Sequence, residues 1–128
     1  MAALSDHAEN LLLDWLMTSG SATRPTAWYL ALFTAAPSDS GGGTEVSTGG
    51  YARQTIAFSA ASSGATSNSA DVSFTASGAN YGTVTHIGIF DASSAGNLLW
   101  HGAMTASKTV EDGDTITFAT GNVDLTLA

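Results

Sequence analysis

The chain has 128 residues, the length of one domain and enough to bury a core. Only 11% of it is charged, and three basic residues stand against eleven acidic ones for a net charge of −8. Arg24, Arg53 and Lys108 are too few and too scattered to displace counterions from phosphate, which argues against nucleic acid and anionic membrane as partners. The absence of cysteine excludes disulfides, thiolate zinc sites and cysteine nucleophiles together.

Low charge leaves a neutral surface built from Ala, Ser, Thr and Gly. Such a surface suits a chain inside an assembly, because Lys and Glu are depleted at the centre of protein contacts; it suits a secreted domain as well. No apolar run reaches the length of a membrane span, and MAALSDHAEN lacks the basic start and apolar stretch of a signal peptide. Synthesis in the cytoplasm is therefore expected.

The first element is a helix over 4–19. Ser5 can cap it, and Asp6 and Glu9 sit in the first turn, where carboxylates suit the positive end of the dipole. Ala8, Leu11, Leu12, Trp15 and Leu16 recur at the spacing of one buried face, and Leu13 and Met17 widen it beyond what a surface helix needs. Thr18, Ser19 and Gly20 end it.

From Pro25 the pattern changes to period two over a β-rich body, 26–128. "AWYLALFT" is apolar on both faces, so its strand should be covered on both sides. Residues 51–58 alternate, and "DVSF" places Val72 and Phe74 on one side. "TVTHIGIFD" puts Ile87 and Ile89 opposite Val84, His86 and Phe90. "NLLWHGAM" follows the turn "ASSAGN". "EDGD" is a strong turn signal, and "TITF", "TGN" and "VDLTL" spell a final hairpin. The sum is a single mainly β domain, an antiparallel β-sandwich or barrel-like fold of about seven to eight strands with one N-terminal α-helix. Residues 37–50, containing a glycine-rich arm at 38–50, and residues 59–70 are long for loops and read as functional or mobile.

Motifs for chemistry are sparse. "GGGTEVSTGG" lacks the lysine and following helix of a phosphate loop and carries Glu45 where a phosphate would approach. His86 and His101 fall on strands that can pair, but no carboxylates stand at ligand spacing, and structural histidines are the simpler reading; the same holds for His7. "VEDGDT" lacks the further ligands of a calcium loop. No catalytic, cofactor-binding or metal-binding residue is assigned, and the expectation is a protein that is not an enzyme and carries no cofactor. Arg53, near Trp28, Tyr29 and Tyr51 in the pattern, reads equally as an interface anchor or as an arginine whose head bonds loop carbonyls. Leu13, Met17, Trp28, Tyr29, Tyr51 and Arg53 form the candidate subunit interface.

"ALSDHAENLLLDWL", "WYLALFTAAPSDSGGGTEV", "GGYARQTIAF", "SNSADVSF", "GTVTHIGIFDA" and "LLWHGAMTASKTVEDGDTITF" followed by "GNVDLTL" together resemble a family of small tailed-bacteriophage virion proteins, commonly labelled tail fibre proteins. The resemblance spans about Leu4 to Leu127 and implies a non-enzymatic particle component. The expected role is a structural protein on the virion surface: a capsid decoration or cement subunit, or the base of a head or tail fibre. It would be a homo-oligomer whose partners are major capsid or tail and fibre proteins, with glycine-rich arms ordering on neighbours. The alternative is a glycan-binding β-sandwich adhesin, with Trp28, Tyr51, Tyr81 or Trp100 stacking on sugars of the host surface.

Overall fold

The structure, a computed structural model, describes residues 2–127. In chain order it contains β1 (Ala2–Leu4), α1 (Asp6–Met17), β2 (Tyr29–Ala35), β3 (Thr44–Glu45), β4 (Gln54–Thr55), β5 (Ala65–Ser67), β6 (Val72–Thr75), β7 (Gly82–Phe90), β8 (Leu98–Val110), β9 (Thr115–Phe118) and β10 (Asp124–Thr126). The fold is mainly β, antiparallel and sandwich-like, with one helix near the N-terminus, as the sequence pattern requires. Ten strands replace the expected seven or eight because β1, β3 and β5, each two or three residues long, fall outside the stretches whose alternation marks strands. Pairings that short leave no alternation for the sequence to reveal.

A main sheet runs β1-β8-β7-β2-β3, with β4 also on β2, and two small sheets, β10-β5 and β6-β9, cover one face. Leu30, Leu32, Val84, Ile89 and Val110 of the main sheet meet Val72, Phe74, Ile116, Phe118, Val123 and Leu125 in one core. Phe74 lies parallel to Tyr51 and edge-on to Phe118, arrangements in which ring edges and faces attract. Both faces of β2 are buried: Leu30 and Leu32 face this core, while Ala31 and Phe33 are covered on the other side. Phe33 stacks there on Phe90.

Three parts of the sequence pattern resolve differently. "TITF" and "VDLTL" do not pair with each other; β9 pairs with β6 and β10 with β5. The turn 119–122 therefore carries the chain from one small sheet to the other, a step the local turn signal cannot specify. Second, Val84 shares the core with Ile87 and Ile89 rather than opposing them. The register jumps from Val84–Lys108 to His86–Ala103, so β8 carries a bulged segment, 104–107, that shifts the alternation. Third, residues 59–70 are no loose loop. Ser62 and Ala65 close a tight β-turn through reciprocal backbone bonds, Ser59 N donates to Ser67 O below it, and Ser63 and Gly64 take positive φ at its tip.

The glycine-rich segment also folds back on its own chain instead of reaching outward. Ser38 and Gly41 bond each other, Asp6 N donates to Asp39 O at 2.9 Å, and Val46 N donates to Leu32 O at 3.0 Å. The buried Val46 side chain anchors the far end in the core. Gly42 and Gly43 both take positive φ, at +79° and +76°, but only Gly43 is crowded: a Cβ there would lie 2.7 Å from Pro37 N and 2.8 Å from Ala35 O. Gly43→Ala is expected to destabilise the protein by about 2 kcal/mol, backbone strain plus overpacking, against about 1 kcal/mol for Gly42→Ala, where strain acts alone. Urea titration of both variants measures the difference.

Candidate interaction surface

Glu45, Tyr51 and Arg53 meet where β3, the approach to β4 and the β7–β8 turn come together. The Arg53 fork is bidentate on Glu45, with Nε 2.8 Å from Oε2 and Nη2 2.9 Å from Oε1. Its Nη1 donates to the carbonyls of Ala92 and Ala95 at 3.0 and 2.8 Å, and the guanidinium lies 3.6 Å above the Phe90 ring centre. Tyr51 donates to Glu45 Oε2 at 2.7 Å and accepts from Leu32 N at 3.0 Å. Burial alone would raise the Glu45 pKa, but hydrogen bonds from Arg53 and Tyr51 and the Arg53 charge outweigh it and hold the carboxyl below its ordinary value. Burial, reinforced by the Glu45 carboxylate, keeps the Tyr51 hydroxyl protonated far above the usual phenol range. Two of the six candidate interface residues therefore direct their polar groups into their own chain. Trp28 packs against the core beneath Arg24, and Tyr29 is half-buried in β2 opposite Phe90 and Thr55.

The other two candidates lie on α1, and there the surface is open. The helix start is fastened to the main sheet: β1 pairs with β8, Ser5 N donates to Leu99 O at 2.8 Å, and Ser5 Oγ donates to Leu98 O. Ser5 Oγ also accepts from Ala8 N at 3.2 Å as the N-cap. Beyond the half-buried Leu11 and Leu12, support ends. Ala8 is the only buried residue of the helix. Leu13 is 57% exposed, Trp15 69%, Leu16 68% and Met17 72%. The periodicity assigns Ala8, Leu11, Leu12, Trp15 and Leu16 to one buried face; the structure buries Ala8 and half-buries Leu11 and Leu12, while nothing among the described residues covers Trp15 and Leu16. Large apolar side chains exposed around one helix end mark an interaction site.

A family described as Podophage GP4 fiber I protein gp80 matches residues 3–126. The chain belongs to that family. The curated proteins contain no match to it. Membership in the gp80 fibre family makes the chain a structural component of a phage particle, in line with the resemblance read from the sequence blocks.

In this gp80-family chain the remaining candidate groups serve the fold. His101 Nε2 lies 2.7 Å from Asp39 Oδ1, fastening the glycine segment to β8, and His86 Nδ1 bonds Thr85 at 2.8 Å. The two histidines are diagonal neighbours, His86 facing Ala103 and Gly88 facing His101, yet each has its own partner. Among the described residues no three His, Asp or Glu side chains gather at metal-ligand distances. In the acidic turn, Asp114 accepts from Glu111 N at 3.0 Å and Asp112 accepts from Gly78 N at 2.8 Å. These carboxylates are turn-closing acceptors.

Proposed function

We propose that this structural virion protein sits on the particle exterior, as a capsid decoration or cement subunit or as the base of a head or tail fibre, and that the apolar end of α1 seats it on a protein neighbour. The observation that carries this reading is the exposure of Leu13, Trp15, Leu16 and Met17 around the end of a helix whose base is fastened by β1, Ser5 and β8. A firm base limits the ordering entropy that docking must offset.

Full burial of a large apolar side chain contributes roughly 1.5–3 kcal/mol, so four that are two-thirds exposed supply on the order of 4–8 kcal/mol. Association costs about 4–15 kcal/mol in lost freedom, so one such contact is weak in solution. On a particle presenting many sites, weak contacts suffice. The net charge of −8 suits an exterior position, away from the packaged genome. The aromatics that a sugar-stacking reading would use support it poorly: Tyr81 is buried, and Trp28, Tyr51 and Trp100 pack against the core.

The test is binding of purified, labelled chain to particles that lack it. Trp15→Ser combined with Leu16→Ser is expected to weaken binding at least ~30-fold, the scale of interface hot spots. Thermal stability should change by less than about 0.5 kcal/mol, because both side chains are solvent-exposed already. Equal binding by the variant and the wild type would refute the role of α1.

A further inference from the structure

The chain carries an apolar groove as well as an apolar projection. β8 is paired with β1 only at 100–102, and its bulged segment 104–107 has no partner strand among the described residues. β9 pairs only with β6, and β10 only with β5. These strands line one groove of about 910 Å³, with Ile87, Met104, Ile116, Phe118 and Val123 among its walls. It runs along the seam between the main sheet and the two small sheets, where Ile116, Phe118 and Val123 are nearly buried in the floor and Ile87 and Met104 are half-buried. An open seam of unpaired strand edges over apolar side chains is an association surface that solitary proteins normally blunt.

Resting on the assembly reading above, we propose that the neighbour seated on α1 is a second copy of this chain, with the helix end of one copy inserted in the groove of the next. Two observations favour this occupant. The protein presents an apolar knob and a groove with apolar walls together, so copies of one chain can fill both, the knob of each in the groove of the next. Charge agrees locally: the helix ends with no basic residue in its last turn and with Asp14 nearby, so its C-terminal end is negative. Lys108, the single lysine of an acidic chain, lines the groove, where its Nζ donates to Thr115 O. Asp124 lines it too, so a negative helix end is favoured only toward the Lys108 side. With each helix end in the groove of the next copy, the contact is head-to-tail and generates a closed ring or a filament.

Head-to-tail contact has a signature that sedimentation can read. The helix variant, Trp15→Ser with Leu16→Ser, keeps its groove; the groove variant, Ala106→Glu, keeps its helix and alters an exposed position. Wild-type chain at tens of micromolar is expected to form species larger than a dimer, and each variant alone to be monomeric, with association weakened about a hundredfold. An equimolar mixture of the two variants should form a dimer and stop there, since one intact knob and one intact groove remain. Because the chain lacks cysteine, Met17→Cys mixed with Thr105→Cys should yield a mixed disulfide joining those two positions. A mixture that stays monomeric, or a wild type that stays monomeric, overturns the proposal. Binding to particles separates the two readings. A monomeric wild type that still binds particles through Trp15 and Leu16 places α1 on a different virion protein: the self-association fails and the structural role stands. Self-association without particle binding has the opposite meaning: the head-to-tail contact stands, and the seating of α1 on the particle fails.

Discussion

Replacing Asn68 by alanine is expected to destabilise the protein by about 3 kcal/mol and to lower its melting temperature by roughly 10 °C. Asn68 is 1% exposed and lies between the two small sheets. Its Nδ2 donates to the carbonyls of Ala70 and Ala119 at 2.9 and 3.0 Å, and its Oδ1 accepts from Val123 N at 2.9 Å. The backbone adds two bonds, Asn68 N to Val123 O and Gly121 N to Asn68 O. One side chain thus holds the end of the 58–68 turn, the start of β6 and the crossing from β9 to β10. Alanine leaves the buried Val123 N–H and the facing carbonyls without partners, and the cost follows from desolvation of groups that water no longer reaches. Asn68→Asp makes a sharper test. At neutral pH the carboxylate turns a second oxygen toward two carbonyl oxygens, so this near-isosteric change should be worse than alanine. Its pKa is then raised in the folded state above the unfolded value, and stability recovers as the pH falls through that raised value, because the protonated acid donates to one carbonyl. Thermal melts of both variants at pH 7 and pH 5 decide the matter. An aspartate variant as stable as wild type at pH 7 would show that Asn68 is not the pin.

Neither Asn68 nor its partners could be picked out of the sequence. "SNSAD" is a low-charge stretch in a segment without periodicity, and the groups that make its asparagine important lie about fifty residues further along the chain. What the sequence does display is local. Ser5 followed by Asp6 and Glu9 marks the helix start, and the continuous apolar run of "YLALF" announces a strand covered twice. The sandwich-like class follows from such runs. Periodicity fails where the alternation is reset, as at the β8 bulge, and where a strand is two or three residues long, as in β3 and β5. It also reports that a face is apolar without reporting whether the chain can cover it. Leu13 and Met17 were legible as excess apolar surface for that reason, whereas Trp15 and Leu16, at spacing typical of a buried stripe, were not. The groove lined by β8, β9 and β10 was hidden further still, because it exists only through the choice of β6 and β5 as pairing partners.

Arg53→Ala is expected to cost about 3–5 kcal/mol, the range for removing one partner of a buried ion pair. The Arg53 side chain is 8% exposed and that of Glu45 27%, so the loss should fall toward the lower end if water reaches the abandoned carboxylate. Lysine should rescue less than half of it. A single ammonium cannot span both Glu45 oxygens and the Ala92 and Ala95 carbonyls, and it forfeits the flat contact over Phe90. The acid limb of the stability curve supplies the independent check. Glu45 is held below its ordinary value of 4.5 in the folded protein, so its contribution is fully present above that pH and disappears as the pH falls through the lower folded value. Asp71 and Asp91, also lowered, act in the same direction at low pH, so wild-type behaviour alone does not isolate Glu45. The difference between wild type and Glu45→Gln does. It should be largest at pH 7 and shrink as the pH falls below the ordinary carboxylate value and the wild-type carboxyl takes up its proton, because the protonated acid and the amide are then similarly poor partners for Arg53. Urea unfolding at pH 7 and pH 3 measures it. A difference that stays constant across that interval would mean that Glu45 contributes shape and packing to this corner of the fold, and that the charge it shares with Arg53 does not hold the β7–β8 turn in place.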